Sequence, residues 1–372
     1  MDNYKLSGVV GMDLSFIDEY SQLAEGSVDK YLIVLVMNVQ GLTKNPHDYQ
    51  DSSVESEFYS FSQFEDMYRA VIEIGFEVKC YFDELDFISD FSSGMLRDNY
   101  PKRIIVINSA QKGTFVGRKS LVPSFCEMNN IMYAGSDPYT VSFFRNKFHW
   151  FTYLYQGGFP VCQSYAYHFE KGWVFDKTPE TGEKLIIKLN NESSSIGLTN
   201  ENIIVYSPVL QEKLFDLSKK YNQQLIAQKF ISGYEVENPA IVSKRKVLCF
   251  PSAGISIDGV KKLDDKILDY TIRGEHHFEH YNFSQISETT ADNIIKTTKK
   301  VIHHTDLRGF VRIDYRIDAD KFYITDISTN PHITKSMTFY YFFKQLGLQY
   351  SDIFKVMIGI TIERAKDALL FH

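Results

Sequence analysis

At 372 residues the chain is longer than one ordinary compact core requires, so two or three domains are expected. A net charge of -7, with no block of Lys and Arg able to neutralise a run of phosphates, argues against a nucleic-acid partner. No apolar run reaches the length of a membrane span, and the opening "MDNYKLSGVVGMDLSF" lacks a basic segment followed by a clean apolar one, so a cytoplasmic protein is expected. Cys80, Cys126, Cys162 and Cys249 are scattered in apolar surroundings with no C-x-x-C pair, which reads as buried reduced thiols rather than disulfides or zinc ligands.

The region from Met1 to about Asp29 reads as a partly helical lead-in, followed by "YLIVLVMNV", a continuous apolar run of the kind found in buried parallel strands. A long polar loop, "QGLTKNPHDYQDSSVESE", leads to the amphipathic "FSQFEDMYRAVIEIGF" and then to strand-like "EVKCYF" and "RIIVINSA", separated by helical signals. Residues 1–145 are thus expected to form an α/β domain. From Asn146 the pattern changes: a helix stopped by glycine in "KFHWFTYLYQGG" precedes short strands with few helices between them, so residues 146–232 read as a small α+β module. Residues 233–372 form a third region of strands, a His-containing loop, a helix through "TADNIIKTTKKVIHH", a hairpin and closing helices. Within it "FYYFFKQLG" fits a core-facing helix that ends at glycine.

Three stretches carry chemistry. In "GFVRIDYRIDADKFYITDISTNPHIT", residues 309–334, alternation predicts two strands around a tight turn, each with an aspartate, Asp314 and Asp326. If the register sets them opposite one another they repel unless a cation lies between them. In "LIIKLNNESSSIGL", Lys188 ends an apolar strand before a turn of small polar residues, whose backbone N–H and hydroxyl groups suit phosphate oxygens beside a fixed positive charge. In "QLIAQKFISGYEVE", Gln228, Lys229, Phe230 and Ile231 end an apolar strand suited to a flat base, and Glu235 follows a glycine turn where it is able to accept from ribose hydroxyls. His276, His277 and His280 lack a fourth ligand at zinc spacing and read as a solvated loop.

In this order the three stretches resemble the ATP-grasp superfamily, and within it the D-alanine:D-alanine ligase branch, over about Lys112 to Phe354. The resemblance implies a three-domain fold, α/β and α+β, with nucleotide held between the central and carboxy-terminal domains. It places Lys147 of "FFRNKFHWF" and Lys188 of "IIKLN" on the ATP phosphates, and it aligns the family's "GSSVG" loop with "SSSIG", hence Ser194 and Ser195. The family's "EKWLSGxE" is similar to "QKFISGYE", implicating Gln228, Lys229, Ile231 and Glu235 in adenine and ribose binding. Arg273 of "LDYTIRGEHHF" stands for the mobile-loop lysine that reaches the γ-phosphate. "FVRID" resembles "GRID", so Arg312 would stabilise the acyl-phosphate and tetrahedral oxygens and Asp314 would bind Mg²⁺. "DISTNPHIT" resembles "EANTSPGMT", making Asp326 the second metal carboxylate.

Departures from the family pattern accompany these matches. Asp326 is one methylene shorter than the usual Glu, and Ser328 replaces the usual Asn, with Asn330 a candidate substitute ligand. His332 stands where the family has a glycine whose amide holds the oxyanion, and Lys335 or Ser336 is the candidate for gripping the second substrate's carboxylate. The acidic "HGxxGEDG" is replaced by "KGTFVGRKS", so Lys112, Arg118 and Lys119 predict a first substrate with a negative group, other than D-alanine. The early "GGxSxE" loop has no evident counterpart.

The resulting expectation is an ADP-forming carboxylate-amine ligase working through an acyl phosphate on small amino-acid-like carboxylate and amine substrates, with ATP and Mg²⁺. The resemblance also implies a homodimer through the amino-terminal domain. The rival readings are a non-catalytic ATP-binding regulator and an ATP-grasp phosphotransferase.

Overall fold

A computed structural model describes residues 14–368 apart from 47, 50–52, 194, 195, 198, 269–271 and 273–276. Three sheets follow one another along the chain. The first has the order β2-β1-β3-β4 and is parallel throughout, from β1 (Tyr31–Val36), β2 (Glu77–Tyr81), β3 (Arg103–Asn108) and β4 (Met132–Tyr133). Every residue of β1 is buried, because both faces are covered, as parallel sheets demand. Tyr31, Ile33 and Leu35 pack with residues of the helices Ser15–Glu25 and Phe61–Ile74. Leu32, Val34 and Val36 pack with Phe87, Val122 and Cys126 on the other face.

The closing helices Thr338–Gln345 and Tyr350–Ala368 belong to the first of these two cores, where Phe339, Phe342, Phe343, Ile353 and Phe354 join β1 and β3. The far end of the chain therefore seals the sheet at its beginning. Among the described residues no helix is long and apolar enough to cross a membrane.

The second sheet is antiparallel, in the order β6-β5-β9-β7-β8, from β5 (Ser164–His168), β6 (Gly172–Trp173), β7 (Lys184–Leu189), β8 (Ile203–Val205) and β9 (Leu225–Lys229). Period-two alternation sends Leu185, Ile187 and Leu189 into a core with Leu225 and Ala227. Ile186 and Lys188 are left for the opposite face, with Gln228 paired to Ile186.

Of the polar loop "QGLTKNPHDYQDSSVESE", the described part crosses to this second core. Ser53 caps a short 3₁₀ turn, Val54–Glu57, and Val54 and Phe58 are buried against the second sheet's apolar side chains. The loop is a strap between the first and second sheets.

The third sheet has the order β13-β12-β10-β14-β15, with β11 also on β10. Its strands are β10 (Tyr234–Val242), β11 (Val247–Cys249), β12 (Ala253–Ile257), β13 (Phe278–Asn282), β14 (Gly309–Asp318) and β15 (Lys321–Ser328). Val311, Ile313, Tyr315 and Ile317 of β14 pack beneath the helix Glu288–His303 with Ala291, Ile294 and Val301. The same alternation turns Arg312, Asp314 and Arg316 to the other face.

Candidate active site

That charged face of β14 closes one side of a cavity of about 820 Å³, and Lys188 and Gln228 of the second sheet line another. Asp314 is the direct register partner of Asp326 on β15, and Arg312 is the partner of Ser328. On the other side Glu237 of β10 stands opposite Asp314 and Glu235 opposite Arg316. Beyond Asp314 the register shifts so that Tyr315 faces Ile324, which leaves Thr325 as the extra residue of a bulge. Such bulges re-aim side chains beside functional sites; here the Thr325 hydroxyl donates to the Asp314 carbonyl at 3.2 Å.

The carboxylates sit among cations. Arg312 donates through Nε and Nη2 to the two oxygens of Asp314 at 2.7 and 2.8 Å, and its Nη1 lies 3.1 Å from Glu237 Oε1. Burial pushes the Asp314 carboxyl up to about 6 against the pull of Arg312, with Glu237 adding to the rise. Burial works against the Arg312 charge as well, but Asp314 and Glu237 outweigh it and keep the guanidinium protonated. Lys147 Nζ lies 3.9 Å from Asp326 Oδ1. Desolvation alone would raise the Asp326 carboxyl, yet Lys147, Lys188 and Arg312 hold it below its ordinary value. Lys188 donates to Gln228 Oε1 at 3.3 Å, and desolvation lowers its ammonium pKa, opposed by Asp326.

An apolar slot completes the cavity. Ile186, Phe230, Ile231, Ile267 and Leu268 line it, and the Arg316 guanidinium lies 5.2 Å from the centre of the Phe230 ring. Arg316 also donates to the Lys266 carbonyl at 2.7 Å and lies 4.0 Å from Glu235. An apolar slot that includes the Phe230 ring, in one cavity with Glu235, the lysines and the two aspartates, offers surfaces complementary to a base, a ribose and phosphates.

Of the residues singled out from sequence, the cavity brings together Lys147, Lys188, Gln228, Lys229, Ile231, Glu235, Arg312, Asp314, Asp326, Ser328, Asn330, His332 and Lys119. Ser194, Ser195 and Arg273 lie outside the described residues. Lys112, Arg118, Lys335 and Ser336 are not among the described residues that line it. Lys112 is ion-paired with Asp83 and Lys335 with Asp66, while the Ser336 hydroxyl meets that of Thr334 at 3.1 Å.

Arg118 differs from the sequence expectation most sharply. Its guanidinium is buried and bidentate on Glu192, at 3.1 and 2.6 Å, so it presents no free charge to a substrate. Arg145 also reaches Glu192, at 3.0 Å, and lies 3.5 Å from Glu57. The Ser193 amide and hydroxyl donate to Glu57 at 3.1 and 2.5 Å. Lys119 lies 3.3 Å from Glu57 and 3.0 Å from Ser193. Burial and the neighbouring Arg145 lower the Lys119 ammonium to about 8. Tyr49 donates to Glu192 at 2.8 Å. The strap and the basic loop thus close on the polar turn after Lys188.

Glu237, Arg316, Glu57 and Glu192 belong to the site or its border without forming part of a sequence motif. The alternation of β14 that singled out Arg312 and Asp314 also selects Arg316, and "EVE" on β10 selects Glu237 beside Glu235. No local period marks Glu57 or Glu192, whose partners come from distant parts of the chain. The strap also supplies Ser53, Glu55, Ser56 and Phe58 to the cavity wall.

For a divalent ion the described residues offer two opposed carboxylates and no cluster of three or more His, Cys, Asp or Glu. That donor set fits Mg²⁺, which keeps water and phosphate oxygens in its shell and needs only one or two carboxylates. Asn330 donates its amide N–H to the Asn108 carbonyl at 2.9 Å, which leaves its oxygen for other partners.

Comparison with known proteins identifies the family and the fold. Residues 167–359 match the family model "D-ala D-ala ligase C-terminus". The D-alanine–D-alanine ligase of Bacillus velezensis is 25% identical over 272 residues, 69% of this chain and 72% of its own length. The enzyme of the same name from Thermosipho melanesiensis is 26% identical over 268 residues, 70% and 67% respectively. A crystal structure of D-alanine–D-alanine ligase from Bacillus anthracis complexed with ATP superposes with a TM-score of 0.66 at 13% identity, covering 91% of this chain and 99% of that one, a likeness of fold. The chain belongs to the D-ala D-ala ligase C-terminus family and carries the ATP-grasp ligase fold.

Proposed function

We propose that the protein is an ADP-forming carboxylate-amine ligase: ATP phosphorylates a carboxylate, and an amine then displaces phosphate from the acyl phosphate to leave an amide. The observation that carries this reading is the convergence of Lys147, Lys188, Arg312, Asp314 and Asp326 on one cavity with an apolar slot at its end. The relatives' names support the reaction class.

Asp314 and Asp326 would hold Mg²⁺, which when bound neutralises phosphate oxygens. Lys147 and Lys188 supply fixed positive charge to the phosphates, a role that positioning and charge neutralisation dominate in phosphoryl transfer. Arg312 stands where negative charge develops on the reacting oxygens. Ile186, Phe230 and Ile231 take the base, and Glu235 the ribose. The three sheets support a division of the chain into 1–145, 146–232 and 233–372, with the closing helices lying on the first sheet, and a homodimer through the first region belongs to the same reading.

The substrates are small and amino-acid-like. Of the three basic residues in "KGTFVGRKS", Lys119, itself ion-paired with Glu57, is the one that lines the cavity, while Arg118 and Lys112 are paired away from it; Glu55 lines the same cavity. The test is therefore a screen of ADP release against D-alanine, other amino acids and acidic metabolites, with product masses read afterwards. An amide product supports the ligase. ADP with a stable phosphorylated product and no amine consumed identifies a phosphotransferase, and nucleotide binding without ADP release under any condition identifies a regulator.

A further inference from the structure

Arg312 is shared between two carboxylates. Its Nε and Nη2 occupy both oxygens of Asp314 at 2.7 and 2.8 Å, the same oxygens a cation between Asp314 and Asp326 would use. A guanidinium seated bidentately there competes with a divalent ion for the carboxylate. Its third nitrogen, Nη1, is already 3.1 Å from Glu237 Oε1.

Glu237 is built to hold that place. It is buried and lies directly opposite Asp314 across the β10–β14 ladder. Its other oxygen, Oε2, accepts from the Thr338 hydroxyl and lies 3.4 Å from His280 Nε2, which is itself 3.2 Å from Thr338 Oγ1. The carboxylate is thereby fixed from the side remote from Arg312. A buried acid among other acids is costly unless a cation and hydrogen bonds compensate it, and here Arg312 and the Thr338 hydroxyl do so.

We propose that Glu237 is the positioning residue that retains Arg312 when Asp314 turns to a divalent cation, so that the guanidinium stays aimed into the cavity instead of blocking the metal carboxylate. This rests on the nucleotide-site reading above. No large movement is involved, because the guanidinium touches both acceptors from the outset. Removing the Glu237 charge leaves Asp314 as the one carboxylate among the described residues in direct contact with Arg312, and the ion then has to displace a more tightly held guanidinium.

The test is a double-mutant cycle on the full chain, with Mn²⁺ as the probe in the presence of ADP and protein-bound Mn²⁺ read by water-proton relaxation. Glu237→Gln is expected to weaken Mn²⁺ binding roughly tenfold, within the range usual for coupling between sites. Arg312→Gln is expected to tighten it, and in that background Glu237→Gln is expected to change little. Thr338→Val, which removes the hydroxyl that anchors Glu237, is expected to shift Mn²⁺ affinity in the same direction by less, and it carries the cycle if Glu237→Gln does not fold. Unchanged Mn²⁺ affinity in folded Glu237→Gln, or an equal loss in both backgrounds, overturns the inference while leaving the nucleotide site intact. No protein-bound Mn²⁺ in the unsubstituted chain overturns both.

Discussion

Lys147, at the start of the helix Lys147–Gln156, and Asp326, near the end of the third sheet, face one another at 3.9 Å. The proposed function lays the triphosphate between them and the Asp314–Arg312 pair. Because these groups come from both sides of the cavity, their effects on nucleotide and metal are expected to be linked. Mg²⁺ with ADP at a hundredfold excess over Kd should stabilise the protein by about 2.7 kcal/mol. Asp326→Asn should remove most of the Mg²⁺-dependent part of that gain, as read by thermal unfolding with and without the ion.

Lys188 has no acid of its own within ion-pair distance among the described residues; its ammonium donates to the Gln228 amide oxygen. A desolvated lysine beside an open cavity is poised to take an anion. Lys188→Ala is expected to lower the rate of ADP release on the order of a hundred- to a thousandfold, and Lys188→Met, which keeps much of the side-chain volume, should do the same. Steady-state ADP release at saturating amine measures both.

Glu57 ties the strap to the polar turn and gives the protein an acid-sensitive joint. Burial would raise its carboxyl pKa, but Lys119, Arg145 and Arg118 outweigh that and hold it well below the ordinary carboxylate range. A depressed folded-state pKa means that this stabilisation is fully present above the unfolded pKa and is lost as pH falls through the folded one. Thermal unfolding followed from pH 7 to pH 3 should therefore show a steep loss at the acid end. Glu57→Gln should flatten that loss and, by leaving cations buried without their partner, cost about 3–5 kcal/mol at neutral pH.

Gly233 turns the chain between β9 and Glu235 of β10. Its φ is +116°, and an added Cβ would lie 2.0 Å from the Ile317 carbonyl oxygen. Its own carbonyl accepts from the amides of Leu263 and Asp264, each at 3.0 Å. The backbone strain alone is of order 1–3 kcal/mol, and the clash with main chain adds to it. Gly233→Ala should lower the urea midpoint and raise the KM for ATP, since Glu235 follows two residues on.

The site's central geometry was legible because it is written in short-range alternation. Period two on β14 separates Val311, Ile313 and Tyr315 from Arg312, Asp314 and Arg316, and a tight hairpin brings Asp314 and Asp326 into register. What was not legible depends on contacts between distant segments. Val54 and Phe58 sit in a polar stretch too short to show a period, yet both bury against the second sheet. Arg118 looked like a free cation until Glu192, 74 residues on, took both ends of its guanidinium. Phe339, Phe342 and Phe343 declare a core-facing helix by their spacing but not which core, and the answer is the sheet laid down at the beginning of the chain.

Equilibrium binding of ATP with Mg²⁺ to the unsubstituted chain, to Lys188→Ala and to the Asp314→Asn, Asp326→Asn pair tests the central claim most directly. The prediction is saturable binding by the first and a loss of at least tenfold, or about 1.4 kcal/mol, in each of the others. Equal affinity in all three folded proteins would contradict a triphosphate lying between Lys147 and Lys188 on one side and the aspartates of the third sheet on the other.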